Sequence, residues 1–182
     1  MYVGPGTHEL GPHCGTVRLR TYRQGLAARA GHDLVLEASA WQGNVVVPDD
    51  PGATPTVFVE IDLRSLHVIE GSGGVKPLTD GDKEDIRSAM QKPLRTAEHP
   101  TATFRSTAMR RDDDRVTLEG ELSLAGQVHP VVLELRGEVD DTVVGHTEIV
   151  QTQWGIKPYV GLLGALKLRD DVGVDVSVSL PG

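Results

Sequence analysis

The chain predicts an all-β fold, an antiparallel lipocalin-like β-barrel of about eight strands with one short helix inserted around residues 80–92. Three observations carry that expectation. The closing segment, 171–180, puts Val172, Val174, Val176, Val178 and Leu180 at every second position, interleaved with Gly173, Asp175, Ser177 and Ser179. A strand turns alternate side chains to opposite faces, so this run has one apolar face and one wet face, and β-branched residues suit it. The same alternation recurs along most of the chain. It breaks at Asp80–Lys92, where acids come first, bases come later, and Ile86, Ala89 and Met90 fall at helical spacing.

Composition agrees. A chain of 182 residues fits one domain with a real core, and 21 glycines with 11 prolines suit strands and turns. The formal charge is −8 and no basic run exceeds Arg110-Arg111, which disfavours nucleic acid or an anionic membrane surface as partner. Cys14 is the single cysteine, so no internal disulfide forms. The start, Met-Tyr-Val-Gly-Pro-Gly, has neither a basic nor an apolar signal region, and no window reaches the roughly 18 apolar residues of a membrane span. The expectation is a cytoplasmic protein with no membrane span.

Taken in order, residues 1–14 read as a loose lead-in and 15–182 as a single barrel domain. Gly15–Gln24 is a strand with Val17, Leu19 and Thr21 on one face, and Leu26–Ala30 a helical turn. His32–Ala40 turns Leu34, Leu36 and Ala38 away from Val35 and Glu37, and Trp41–Val47 continues the pattern up to the turn at Pro48–Gly52. Thr56–Leu63 sets Val57, Val59, Ile61 and Leu63 opposite Phe58, Glu60 and Asp62, and 66–70 extends it. Gly71–Gly74 is a loop before the helix, which stops at Pro93. Thr101–Arg110 aligns Ala102, Phe104, Ser106 and Ala108. Arg115–Leu124 aligns Val116, Leu118, Gly120, Leu122 and Leu124, and Val128–Val139 aligns Val131, Leu133, Leu135, Gly137 and Val139. Arg110–Arg115 is a hairpin tip and Ala125-Gly126 another, while Thr142–Gln153 alternates less cleanly.

Four blocks resemble the YceI-like proteins, a polyisoprenoid-binding family with a lipocalin-like barrel. They are Ala30-Gly-His-Asp-Leu34 with Trp41-Gln-Gly43; His99-Pro-Thr-Ala-Thr-Phe-Arg-Ser106; the hairpin from Leu118 to Leu133; and Trp154-Gly-Ile156 leading to Val172-Gly-Val174. The hairpin is similar to the family's Gly-x-Leu-Thr-(Ile/Leu)-x-Gly-x-x-x-Pro-Val nearly position for position. Three departures stand out: His99 replaces the family's Tyr before Pro, members are often exported whereas no export signal is read here, and at 4% aromatic residues the pocket wall would be mostly aliphatic. The resemblance implies binding, sequestration or transport of an isoprenoid-like or other long-chain apolar lipid in the barrel interior. It implies no catalysis and no cofactor beyond that lipid, which would be an isoprenoid or fatty-acyl chain. The alternative is a non-catalytic stress-related or protein-interaction module whose barrel is filled by its own side chains.

The inward faces inferred from alternation give candidate ligand-binding residues Leu19, Leu36, Val59, Ile61, Phe104, Leu122, Leu133 and Val176. Ile86 and Met90 are added from the helix, whose inner face also carries Leu94; the alternative for Met90 is plain core packing. His32, in Gly-His-Asp, either meets a ligand head group or fixes strand pairing. Trp154 and Tyr159 either line a rim or plug the barrel's end. His8, His13 and Cys14 lack the paired spacing of a structural zinc site, so no metal is expected there. A metal- or haem-dependent activity using some of the seven histidines stands as a third class. Asp80, Asp82, Glu84 and Asp85 suit a helix start and lack the pattern of a calcium loop. Catalytic signatures such as Gly-x-Ser-x-Gly are absent from the sequence. An exposed edge strand could pair two copies into a homodimer.

Overall fold

A computed structural model describes residues 4–112, 115–138 and 141–180. The strand end assigned to Val139 and the centre of the hairpin tip, Asp113 and Asp114, lie outside the described residues, as do the first three residues of the lead-in. Fourteen strands are present among the described residues: β1 (Gly6–Leu10), β2 (Gly15–Thr21), β3 (Arg23–Gln24), β4 (His32–Ala38), β5 (Trp41–Val47), β6 (Thr56–Asp62), β7 (Leu66–Gly73), β8 (Thr101–Asp112), β9 (Arg115–Leu124), β10 (Gln127–Gly137), β11 (Thr142–Val150), β12 (Val160–Gly161), β13 (Leu166–Leu168) and β14 (Asp171–Ser179). Eleven of them form one curled antiparallel sheet in the order β1-β5-β6-β8-β9-β10-β11-β14-β2-β4-β7, and β12-β13-β3 form a small second sheet. The fold is all-β and lipocalin-like, with more strands than the eight expected. Among the described residues β1 and β7 are the free edges of the large sheet.

Three differences from the sequence reading have physical causes. The lead-in is not loose throughout, because β1 adds to β5 with Gly6 opposite Val47 and Leu10 opposite Gly43. Its backbone bonds are met by the sheet edge, a long-range partner that local composition does not reveal. In β8 a bulge shifts the register between Ser106 and Ala108. One extra residue reverses the faces beyond it, so Ala108 stands opposite Glu119 while Met109 and Arg111 line the interior. The expected strand 15–24 breaks at Tyr22, and β3 leaves for the small sheet.

The helix α1 (Asp80–Gln91) starts on a capping box. Thr79 accepts from the Asp82 backbone N–H at 3.1 Å, and the Asp82 carboxylate accepts from the Thr79 backbone at 2.8 Å. Asp82 therefore has a structural task at the helix start.

Two apolar clusters fill the concave side. The larger holds Leu10, Val17, Ala38, Trp41, Leu63, Leu66, Ala102, Leu124, Ala125, Ile149, Trp154, Ile156 and Val172. The smaller holds Leu34, Leu36 and Val68, with Leu78 and Ile86 packed against it. Met90 touches both clusters and Leu94 joins the larger. The helix thus lies over the β4–β7 flank, its apolar side inward.

A candidate binding cavity

Alternation decides what the curled sheet encloses. Odd-numbered residues of β10 (Val131, Leu133, Leu135) and even-numbered residues of β14 (Val174, Val176, Val178) face the same space as Val57, Val59 and Ile61 of β6. With Leu118 and Leu122 of β9 they bound a cavity of about 690 Å³. That lies within the roughly 300–1,000 Å³ usual for small-molecule sites.

Two wall glycines shape it. A methyl group on Gly120 would stand 2.4 Å from Phe104 Cε2, so the missing side chain makes room for that ring. One on Gly145 would meet Leu135 Cδ2 at 2.3 Å and Val176 Cγ2 at 2.8 Å.

The cavity's two ends differ. At one end, the β5–β6 loop and the β8–β9 and β10–β11 hairpins bring Asp50, Arg111, Arg136, Glu138 and Asp141 to a polar rim. There Arg136 Nη2 donates to Glu138 Oε1 at 2.7 Å. At the other end Trp154 is 2% exposed, donates from Nε1 to the Leu122 carbonyl at 3.1 Å, and meets His129 edge-on with ring centroids 5.1 Å apart. Gly155 holds the left-handed conformation (φ 69°) that ends this turn and returns the chain. Trp154 is therefore a plug, whereas Tyr159 is exposed.

The expected residues divide accordingly. Val59, Ile61, Phe104, Leu122, Leu133 and Val176 line the cavity. Leu36, 2% exposed, belongs to the helix-covered cluster, and Leu19, Ile86 and Met90 pack beside it. His32 lies away from the cavity: its Nε2 donates to the Lys76 carbonyl at 2.8 Å, in a shallow recess with Asp82, Asp85 and Ile86. The structure thus gives His32 the strand-and-loop-fixing part.

Sequence reading missed Met109 and Arg111, hidden by the bulge, and the Pro48–Pro55 loop, which reads as a turn. It also missed Leu10, which comes in on β1, and Trp41, which lines the wall with a buried Nε1 that has no hydrogen-bond partner among the described residues. No periodicity foretells a bulge, whereas Val57, Leu118, Leu135 and Val174 were available from the alternation.

The outer face carries the charges. Asp175 of β14 accepts from Arg20 Nε at 2.5 Å and from His146 Nδ1 at 2.8 Å. Burial alone would raise its pKa, but these two hydrogen bonds outweigh it and hold the carboxyl below its ordinary value. Arg18 reaches Glu37 at 2.8 Å on the same outer surface. In the lead-in, His8 Nε2 donates to the Gly4 carbonyl at 2.8 Å and Cys14 Sγ approaches the Gly11 carbonyl at 3.5 Å.

A family model described as the YceI-like domain matches residues 25–180. The chain belongs to the YceI-like family. Protein YceI of Escherichia coli O6:H1 is 34% identical over 111 residues, covering 57% of this chain and 54% of that protein. Protein YceI of Escherichia coli O157:H7 is 33% identical over 96 residues, 49% and 48% of the two chains. The chain spans about half the length of these relatives. Among solved structures, BcnA of Burkholderia cenocepacia superposes with a TM-score of 0.65 at 14% identity, over 90% of this chain and 94% of that one. The YceI protein of Campylobacter jejuni gives 0.57 at 14% identity, over 81% and 84%. At such identities these likenesses speak for the fold. In this YceI-like protein the curled sheet encloses an aliphatic chamber with a polar rim at one end and Trp154 packed at the other.

Proposed function

We propose that the chain is a non-catalytic binding protein that takes an isoprenoid-like or other long-chain apolar lipid into this cavity. The observation that carries the reading is the wall itself: aliphatic along its length, with charged side chains gathered at one end. Burial of a lipid tail yields roughly 0.8 kcal/mol per methylene, so a long chain needs few polar contacts to be retained. The rim of three carboxylates and two guanidinium groups would leave a polar head in the solvated zone while the tail lies inside. Away from the rim, the polar atoms that the described wall residues bring are the Thr147 hydroxyl and the Trp41 Nε1.

Native mass spectrometry of the purified protein, with organic extraction of what it carries, tests this. A co-purifying apolar species, or uptake of added isoprenoid or fatty acid at one molecule per chain, is the expected result. A protein that arrives empty and takes up neither class overturns it.

A further inference from the structure

The small sheet β12-β13-β3 collects large apolar side chains on the outside of the molecule. Leu26 and Leu163 are fully exposed, and Tyr159, Val160 and Leu162 are more than half exposed. They share one tip: Ala27 N–H donates to the Ala165 carbonyl at 2.9 Å, Ala165 N–H to Leu162 at 3.1 Å, and Leu168 N–H to Tyr159 at 3.0 Å. Leu162 (φ 49°) and Leu163 (φ 55°) both stand in the left-handed region, ahead of Gly164 (φ 91°). Two consecutive leucines there are unfavourable for the backbone, and such strain gathers at working sites. The geometry holds both leucines away from the body of the protein, where burial gives nothing in return. An exposed apolar group of this kind marks a contact surface.

Charge says which surface. In a chain of net charge −8, residues 22–31 and 155–169 contain five basic residues (Arg23, Arg29, Lys157, Lys167 and Arg169) and no acidic one. Arg23 has Asp33 within 3.8 Å and Arg169 has Asp171 at 2.6 Å. Arg29, Lys157 and Lys167 are exposed and have no carboxylate partner among the described residues. Whole-chain charge predicts repulsion from an anionic surface. Charges beyond a Debye length of about 8–10 Å are largely screened, so the local patch decides at contact.

We propose that this tip docks the protein on a bilayer rich in anionic phospholipid, with Leu162 and Leu163 entering the acyl boundary and Arg29, Lys157 and Lys167 meeting the head groups. An apolar insertion combined with cations is the two-part pattern of reversible interfacial binding. Because β11 runs from the rim to the closed end, the connection 151–170 that bears the tip lies at the end away from the rim. A docked molecule presents its cavity rim away from the bilayer. The inference does not depend on what the cavity holds.

The test is co-sedimentation of the whole chain with vesicles of phosphatidylcholine alone and of phosphatidylcholine mixed with phosphatidylglycerol. Partitioning onto the mixed vesicles, weakened by salt, is expected. Leu162→Asn with Leu163→Asn lowers it roughly tenfold or more, as does Lys157→Glu with Lys167→Glu. Asparagine tolerates the left-handed region, so the backbone is retained. Val128→Asn with Val132→Asn, exposed on the outer face of β10, leaves binding unchanged. Equal partitioning onto both vesicle types, or an equal loss from the valine pair, overturns the proposal. So does a dimer in sedimentation equilibrium that the leucine pair dissolves, since a second copy would then cover the tip.

Discussion

The two ends of this sheet are built from the same alternation and reach opposite outcomes. At the floor, Trp154, Ile156, Ala125 and Leu124 meet in a packed cluster, and under the helix Leu36 is sealed by Leu34, Val68 and Ile86. Toward the rim, Leu133, Leu135, Val176 and Val178 face one another across empty space. The cause of the difference is what comes in from outside the sheet. The turn after β11 supplies a tryptophan and the helix supplies Ile86 and Met90, whereas the rim end receives short turns. Apolar alternation makes an interior, but only an inserted element fills it.

This contrast can be broken by experiment, starting with the largest effect. Trp154→Ala opens a void in packed surroundings and breaks the bond to the Leu122 carbonyl, so urea unfolding should show a loss of about 3–5 kcal/mol. Leu133→Ala only enlarges a space that already exists and should cost about 2 kcal/mol or less. Equal costs would mean that the cavity collapses in solution. Gly120→Ala drives a methyl into the Phe104 ring and should cost about 1–3 kcal/mol on the same measure. Filling the hollow end with Leu133→Phe and Val176→Phe should lower lipid uptake roughly tenfold, about 1.4 kcal/mol, with little loss of stability. Undiminished uptake would place the lipid elsewhere.

Two smaller effects sharpen the picture away from the cavity. Thr79→Ala removes the helix cap and should cost about 1 kcal/mol, since the helix seals the filled flank. Asp175 has a folded pKa below its unfolded value of about 3.9, so its contribution is complete above that pH. It is lost as pH falls from about 4 through the folded value. Asp175→Asn should therefore flatten the acid limb of the stability profile slightly, because the site is partly screened. An unchanged limb would show that the Arg20 and His146 contacts are not held in solution.

Much of this was legible from the residues. β9, β10 and β14 run nearly as their alternation predicts, because a half-buried strand must repeat every second residue. The acids from Asp80 onward and the helical spacing of Ile86, Ala89 and Met90 announced the helix, though not the Thr79 cap that starts it. What stayed hidden required partners far along the chain: β1 finding β5, the bulge that turns Met109 and Arg111 inward, and the tip where Ala27 bonds to Ala165 across some 138 positions of sequence. Val59, Ile61, Phe104, Leu122, Leu133 and Val176 face the cavity, whereas Leu36 does not, because α1 claims the face it stands on. Whole-chain charge likewise concealed a segment of opposite sign.

The sheet's edges have a last consequence. A closed barrel has its girth fixed by the number of strands and their stagger, and changes size only in steps. Here β1 and β7 end the ladder without meeting among the described residues. The ladder therefore does not by itself fix the girth of the roll; that falls to what packs on its flanks, as α1 does against β7.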